Sequence, residues 1–202
     1  LIGFILTFLS LAAPIQLEGN QITLFWATET VLLLWLSQKS GITLMKIVSV
    51  IIIFLMLLSL LMDWQKIYST SHSDEILTLL LNKGFITSLF AVGSIYLTLL
   101  FLKNEKDLYI VRGFDFKFYK EILSILLIIC IYVGILLELR YQLNIFSDYF
   151  ATNSIIIESY NLTFLIILSY YSRKINIPVF LETTVLLCFA GILSYPLFYH
   201  NM

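Results

Sequence analysis

Seven stretches of this chain are each long enough and apolar enough to cross a bilayer, and together they take up more than half of its 202 residues. A hydrocarbon core of roughly 30 Å needs about 20 helical residues, fewer where flanking side chains snorkel and more where a helix tilts. By that ruler the spans fall at residues 1–13, 22–38, 42–62, 84–102, 122–137, 155–171 and 179–198. The runs are continuous, whereas barrel strands alternate in short in-out segments, so strands are a poor alternative. The fold class expected is all-α: a polytopic integral membrane bundle of about seven transmembrane helices, forming one transmembrane domain over residues 1–202. With 60% hydrophobic and only 12% charged residues, the chain could not furnish both a soluble core and a solvated surface. It opens at Leu1 inside an apolar run, with no charged leader and no small-residue cleavage site, and the expectation is a piece of a longer protein.

The formal net charge of -1 gives no pull toward nucleic acid or an acidic partner. The partners expected are the lipid bilayer and other helices of the same longer chain, with no nucleic acid. Cys130 and Cys188 sit inside apolar runs, where a thiol acts as a small hydrophobe. His72 and His200 are isolated, and no carboxylate has the helical His spacing that ligation needs, so neither metal nor cofactor is expected. Asn161-Leu162-Thr163 matches a glycosylation sequon, but a place inside a span makes it inaccessible.

Orientation follows from basic residues in short loops. The even connections hold Lys39, Lys103, Lys106, Arg112, Lys117, Lys120, Arg173 and Lys174, and Lys46 leans the same way; the odd ones hold Lys66, Lys83 and Arg140. The even loops and the N-terminal end are therefore expected on the cytoplasmic side. Two connections exceed a turn. Residues 63–82 begin with Trp64 and Tyr68, and close on an apolar piece able to lie in the interface; residues 103–121 alternate aromatics with charges and read as an interfacial belt.

Acidic residues inside spans are the main functional clue, because a charge near the bilayer centre costs about 2.5–3.5 kcal/mol on insertion scales. Glu29 lies near the middle of the second span, with Phe25, Trp26, Leu32 and Leu33 as its helical neighbours, so it must meet a partner on another helix. Glu158 shares a polar stripe with Ser154, Asn161 and Ser169 on the sixth span, and Glu182 follows Pro178 near the inner end of the seventh. Glu138 ends the fifth span, where a solvated headgroup-level charge suffices as explanation. The candidate intramembrane polar site is thus Glu29, Glu158, Asn161 and Glu182. Facing one cavity, such carboxylates form a proton or cation path, since a carboxylate in low dielectric holds its proton and can pass it on. Paired with neighbours such as Lys46, they are structural. Thr87, Ala91, Ser94 and Thr98 form one stripe of the fourth span, the spacing by which helices pack closely. No phosphate-cradling glycine loop or nucleophile elbow is present.

Two segments carry a family resemblance. Residues 14–29, PIQLEGNQITLFWATE, run into LLLWLSQKSG, and residues 81–89 read LNKGFITSL. They resemble the large bacterial predicted membrane proteins catalogued as domain of unknown function 2339, over about residues 11–103. The first is similar to that family's proline, polar turn, threonine-leucine, tryptophan-alanine and glutamate before an apolar run; the second is similar to an asparagine-led helix start. The resemblance implies many more helices than seven and coincides with Glu29, but implies no activity. Three readings follow: a transport-like bundle with buried carboxylates; a structural or envelope-assembly scaffold; and, last, a membrane enzyme acting on lipid-linked substrates. The last lacks a catalytic cluster, so an enzyme is not the expectation. Arg112, Lys117 and Lys120 gathered with an acidic residue at a cavity mouth would separate the three.

Overall fold

The computed structural model describes residues 15–69, 82–103, 109–111, 114–146 and 150–174. The spans expected at 1–13 and 179–198 lie outside them, and with these Glu182, Cys188, His72, His200 and Arg112. Among the described residues five helices are present: α1 (Asn20–Ser40), α2 (Thr43–Ser69), α3 (Lys83–Lys103), α4 (Phe116–Phe146) and α5 (Phe150–Lys174). A small antiparallel ribbon of β1 (Tyr109–Val111) and β2 (Phe114–Asp115) precedes α4. Among the described residues, four helices are long and apolar enough to cross a membrane: α2, α3, α4 and α5. α1 is as long as α3, 21 residues, but is not among the four, because Glu29 and the polar residues at its two ends interrupt its apolar run.

The helices outrun the apolar windows that announce them. α2 continues past residue 62 to Ser69, so Asp63, Trp64 and Tyr68 are helical, not the start of a loop. α4 begins at Phe116 and ends at Phe146, taking Lys117, Lys120, Glu121, Glu138 and Arg140 into one 31-residue helix. Hydropathy marks where side chains are apolar; helical hydrogen bonding continues as long as the backbone is better satisfied internally. The terminators are local. Gly41 takes the left-handed conformation (φ 71°), and its N–H donates to the Ser37 carbonyl, closing α1 two residues before α2 starts. Asn82 caps α3, its Oδ1 accepting from the Phe85 N–H at 2.8 Å.

The chain divides into two compact units, Leu1–Ile135 and Leu136–Met202. In the first, α1, α2 and α3 each pack on the other two. Among the buried positions, Thr23, Ala27, Thr30, Leu34 and Ser37 of α1 and Gly84, Thr87, Ala91, Ser94 and Thr98 of α3 recur every three or four residues and are mostly small. Small side chains at that spacing let backbones approach and fill the contact by dispersion, which drives association where lipid competes equally for apolar surface. A Cβ on Gly84 would sit 3.0 Å from the Tyr68 hydroxyl, so Gly at this point admits the ring. Leu33, Met45 and Ile52 form an apolar core with Trp26, Ile42, Val48 and Leu55 packed against it. Cys130 is a buried free thiol, as its apolar surroundings indicate. In the second unit, Asn153 Nδ2 reaches the Leu143 carbonyl, linking the start of α5 to the end of α4.

Candidate functional site

Glu29 stands at the midpoint of α1 and is only 6% exposed, so the fold buries a carboxylate among helices, as its apolar neighbours require. Leu33, one turn on, belongs to the apolar core, and Trp26, one turn back, packs on it. The adjoining backbone is held from α2, where Ser49 Oγ donates to the Thr30 carbonyl at 3.1 Å. Thr30 is fully buried, and its hydroxyl finds no hydrogen-bond partner among the described residues. A buried hydroxyl without a partner forfeits its hydration and is rare enough to need an explanation. Lys46 is also buried, one turn into α2, with Nζ 5.6 Å from the centre of the Phe116 ring.

Toward the start of α1 lies a second polar cluster that the hydropathy reading missed. Asp63, 5% exposed, accepts a hydrogen bond from Thr23 Oγ1 at 2.6 Å, and Thr23 Oγ1 lies 2.6 Å from Ser59 Oγ. Because the Thr23 proton goes to the carboxylate, Ser59 is the donor in that contact. Beside it, Trp64 Nε1 donates to Ser88 Oγ at 2.7 Å, and Asn20 Nδ2 donates to Thr87 Oγ1 at 3.2 Å. Thr87 and Ser88 pass their own protons back to the Lys83 and Gly84 carbonyls. Three helices are thus stitched by hydroxyl, carboxylate and indole groups, all with partners. The available signal was the recurrence of Ser59, Asp63 and Trp64 at helical spacing after the apolar run.

The expected stripe of Thr87, Ala91, Ser94 and Thr98 is buried in full, in a packing role. Ser94 Oγ donates to the Ala91 carbonyl and contacts Met56 Sδ at 3.2 Å, while Thr98 Oγ1 donates to the Ser94 carbonyl. On the other side of this seam a groove of about 460 Å³ runs between α1 and α3, lined by Ala27, Thr28, Val31, Leu32, Leu89, Phe90, Gly93, Ser94 and Leu97. Its lining includes no carboxylate and no lysine, and the Thr28 hydroxyl turns back to the Leu24 and Phe25 carbonyls.

In the second unit, Glu158 and Asn161 are half-buried on α5, as are Ser154 and Ser169 of the same stripe, whereas Ile155, Ser159, Leu162 and Ile166 are exposed. Glu138 departs from expectation. Instead of a solvated end charge it is 4% exposed, with Oε1 accepting from Gln142 Nε2 at 2.9 Å, because α4 continues past it and supplies a partner one turn on. Glu29 therefore belongs to one compact unit and Glu138, Glu158 and Asn161 to the other. No family model matches this chain, and neither a curated protein nor a solved structure does.

Proposed function

We propose that this chain is a multi-pass integral membrane protein of the bacterial cytoplasmic membrane, and that its first unit is a transport-type bundle in which Glu29 takes up and releases a proton or small cation. The observation that carries this reading is a carboxylate buried halfway along a 21-residue helix, packed by two helices apolar enough to cross a membrane. An ionisable group at that depth is expensive, and in membrane proteins such groups mark ion and proton pathways. The neighbouring Thr30 hydroxyl, fully buried and without a hydrogen-bond partner among the described residues, supports it, being of the kind that takes a transient water or ion. Glu158, Asn161 and Glu182 belong to the proposal as further polar positions along the membrane, with the even connections and the N-terminal end cytoplasmic. The resemblance of residues 14–29 to the family of unknown function 2339 supports a large bacterial membrane protein as its source.

The second reading, a structural or envelope-assembly scaffold, is favoured by the closed contacts of Asp63, Thr23 and Ser59 and by a groove without charge. Accessibility separates the two. Cys130 and Cys188 are replaced, a single cysteine is placed at Glu29, and intact cells are probed with a membrane-impermeant thiol reagent, with a cysteine at fully buried Met56 as the dry control. Transport predicts labelling at position 29 and none at 56. Absence of labelling at both, with normal expression, favours the scaffold, as does an E29Q variant indistinguishable from wild type in proton leak across reconstituted vesicles.

A further inference from the structure

Four helix ends meet at one end of the first unit. Gln38 Nε2, in the last turn of α1, donates to the Phe101 carbonyl at the end of α3 (2.9 Å). Lys46, one turn into α2, lies under the Phe116 ring that opens α4, and β1 rests against α2. The described residues of this end carry Lys39, Lys46, Lys103, Lys117 and Lys120 against the carboxylates Asp115 and Glu121. Among the described residues, the opposite end of α1, α2 and α3 carries Glu18 and Asp63 against Lys66 and Lys83, a balance. The described residues of the unit are therefore electrically lopsided along its axis, although the whole chain is close to neutral.

The lysines are placed to act outward. Lys39, Lys103 and Lys117 are exposed and Lys120 is half-buried, whereas Lys46 is kept inside. Asp115 is partly committed, because its Oδ1 accepts from the Lys117 N–H at the start of α4. Two large rings stand out beside these charges: Phe118, 55% exposed between Lys117 and Lys120 in sequence, and Trp35, 44% exposed one turn before Lys39. A ring at the headgroup boundary with an ammonium reaching past it is the arrangement in which a basic side chain buries its stem and keeps its charge at the interface.

We propose that this lysine-rich end is a docking surface for the headgroups of anionic phospholipids, with Lys39, Lys103, Lys117 and Lys120 taking the phosphates while Phe118 and Trp35 sit among the first acyl carbons. The argument is charge complementarity, and it rests on the membrane reading above but not on any role for Glu29. Each basic residue near an anionic surface strengthens association by about fivefold, attenuated over a Debye length of about 8 Å at physiological salt. A single headgroup meets only one or two of these lysines at a time, so each bound lipid should show a preference for anionic over zwitterionic on the order of tenfold.

The experiment uses the full chain, reconstituted in vesicles of equal parts phosphatidylcholine and phosphatidylglycerol, extracted in mild detergent, and analysed by native mass spectrometry for retained lipid. Phosphatidylglycerol should be retained over phosphatidylcholine by roughly tenfold and the preference should fall as salt is raised. The variant K39Q/K103Q/K117Q/K120Q should lose it, and K66Q/K83Q, at the balanced end, should keep it. Equal retention of the two lipids by the wild type, or a loss as large in K66Q/K83Q as in the quadruple variant, overturns the proposal. Should the quadruple variant misfold by circular dichroism, K117Q/K120Q takes its place, with a partial loss expected and an unchanged preference overturning the proposal. Alkaline carbonate extraction of the wild type from membranes tests the membrane reading by itself: release there sinks that reading, whereas a chain that stays in the membrane without lipid preference sinks only the headgroup surface.

Discussion

Helices α3 and α5 have much in common as strings of residues: each is long and apolar enough to span a membrane, and each is interrupted by serines and threonines. Yet 39% of the α3 span is buried and only 6% of the α5 span. Thr87, Ser88, Ser94 and Thr98 of α3 are all buried, whereas Thr152, Ser159 and Thr163 of α5 are exposed. The hydroxyls behave alike toward their own helix, since Ser159 and Thr163 return their protons to the Ile155 and Ser159 carbonyls as Ser94 and Thr98 do to Ala91 and Ser94. What differs is company. In α3 the hydroxyls alternate with Gly84 and Ala91 on one face; in α5 they lie among Ile155, Leu162 and Ile166. A hydroxyl that has satisfied itself is a small side chain, and only beside other small side chains does it draw in a neighbouring helix.

The contrast can be broken most forcefully at Ala91, which has no exposed surface. Ala91→Leu should cost about 1–3 kcal/mol by overpacking the α3 seam. Thr163→Leu, on the exposed face of α5, should stay within about 0.5 kcal/mol, both read from reversible unfolding in mixed micelles. Equal effects would mean that α3 is no more packed than α5. Next comes the polar stitching. A double-mutant cycle between Thr23→Val and Asp63→Ala should return a coupling near the upper end seen for hydrogen bonds between membrane helices, about 1.7 kcal/mol. A coupling indistinguishable from zero would separate the two side chains. Trp64→Phe, which removes the indole donor to Ser88 while leaving that hydroxyl bonded to Gly84, should cost about 0.6 kcal/mol by the same unfolding measurement. Smallest is Ser159→Ala, whose hydroxyl is exposed and serves only its own helix; a change beyond about 0.5 kcal/mol would show that this face is covered.

Legibility in the sequence divides along the same line. The burial of Thr87, Ala91, Ser94 and Thr98 was readable, because a face of small residues every three or four positions has one physical use in an apolar helix. So was the burial of Glu29, fixed by the apolar residues on either side of it. Asp63 was not readable as buried. A carboxylate at the end of an apolar run looks like the first residue of a loop until Thr23, forty residues earlier in the chain, is known to lie against it. Glu138 misled for the opposite reason: its partner Gln142 was close in sequence but beyond the expected end of the helix. Local periodicity reports a face; it does not report where a helix stops or which distant side chain meets it.

If the chain inserts in a bilayer as proposed, the two-residue connection at Gly41 shapes how α1 enters it. α1, with a carboxylate at its centre, partitions poorly by itself, whereas α2, joined to it across Gly41 and Ile42, is strongly apolar. A connection that short brings the pair face to face while both are still leaving the aqueous phase, so the cost of dehydrating Glu29 falls on a hairpin and not on a lone segment. On the proposed membrane reading, biogenesis of this region is then a matter of pairs: α2 is the carrier that makes α1 admissible, and lengthening the hinge should release α1 to the water side before any contact within the finished bundle is lost.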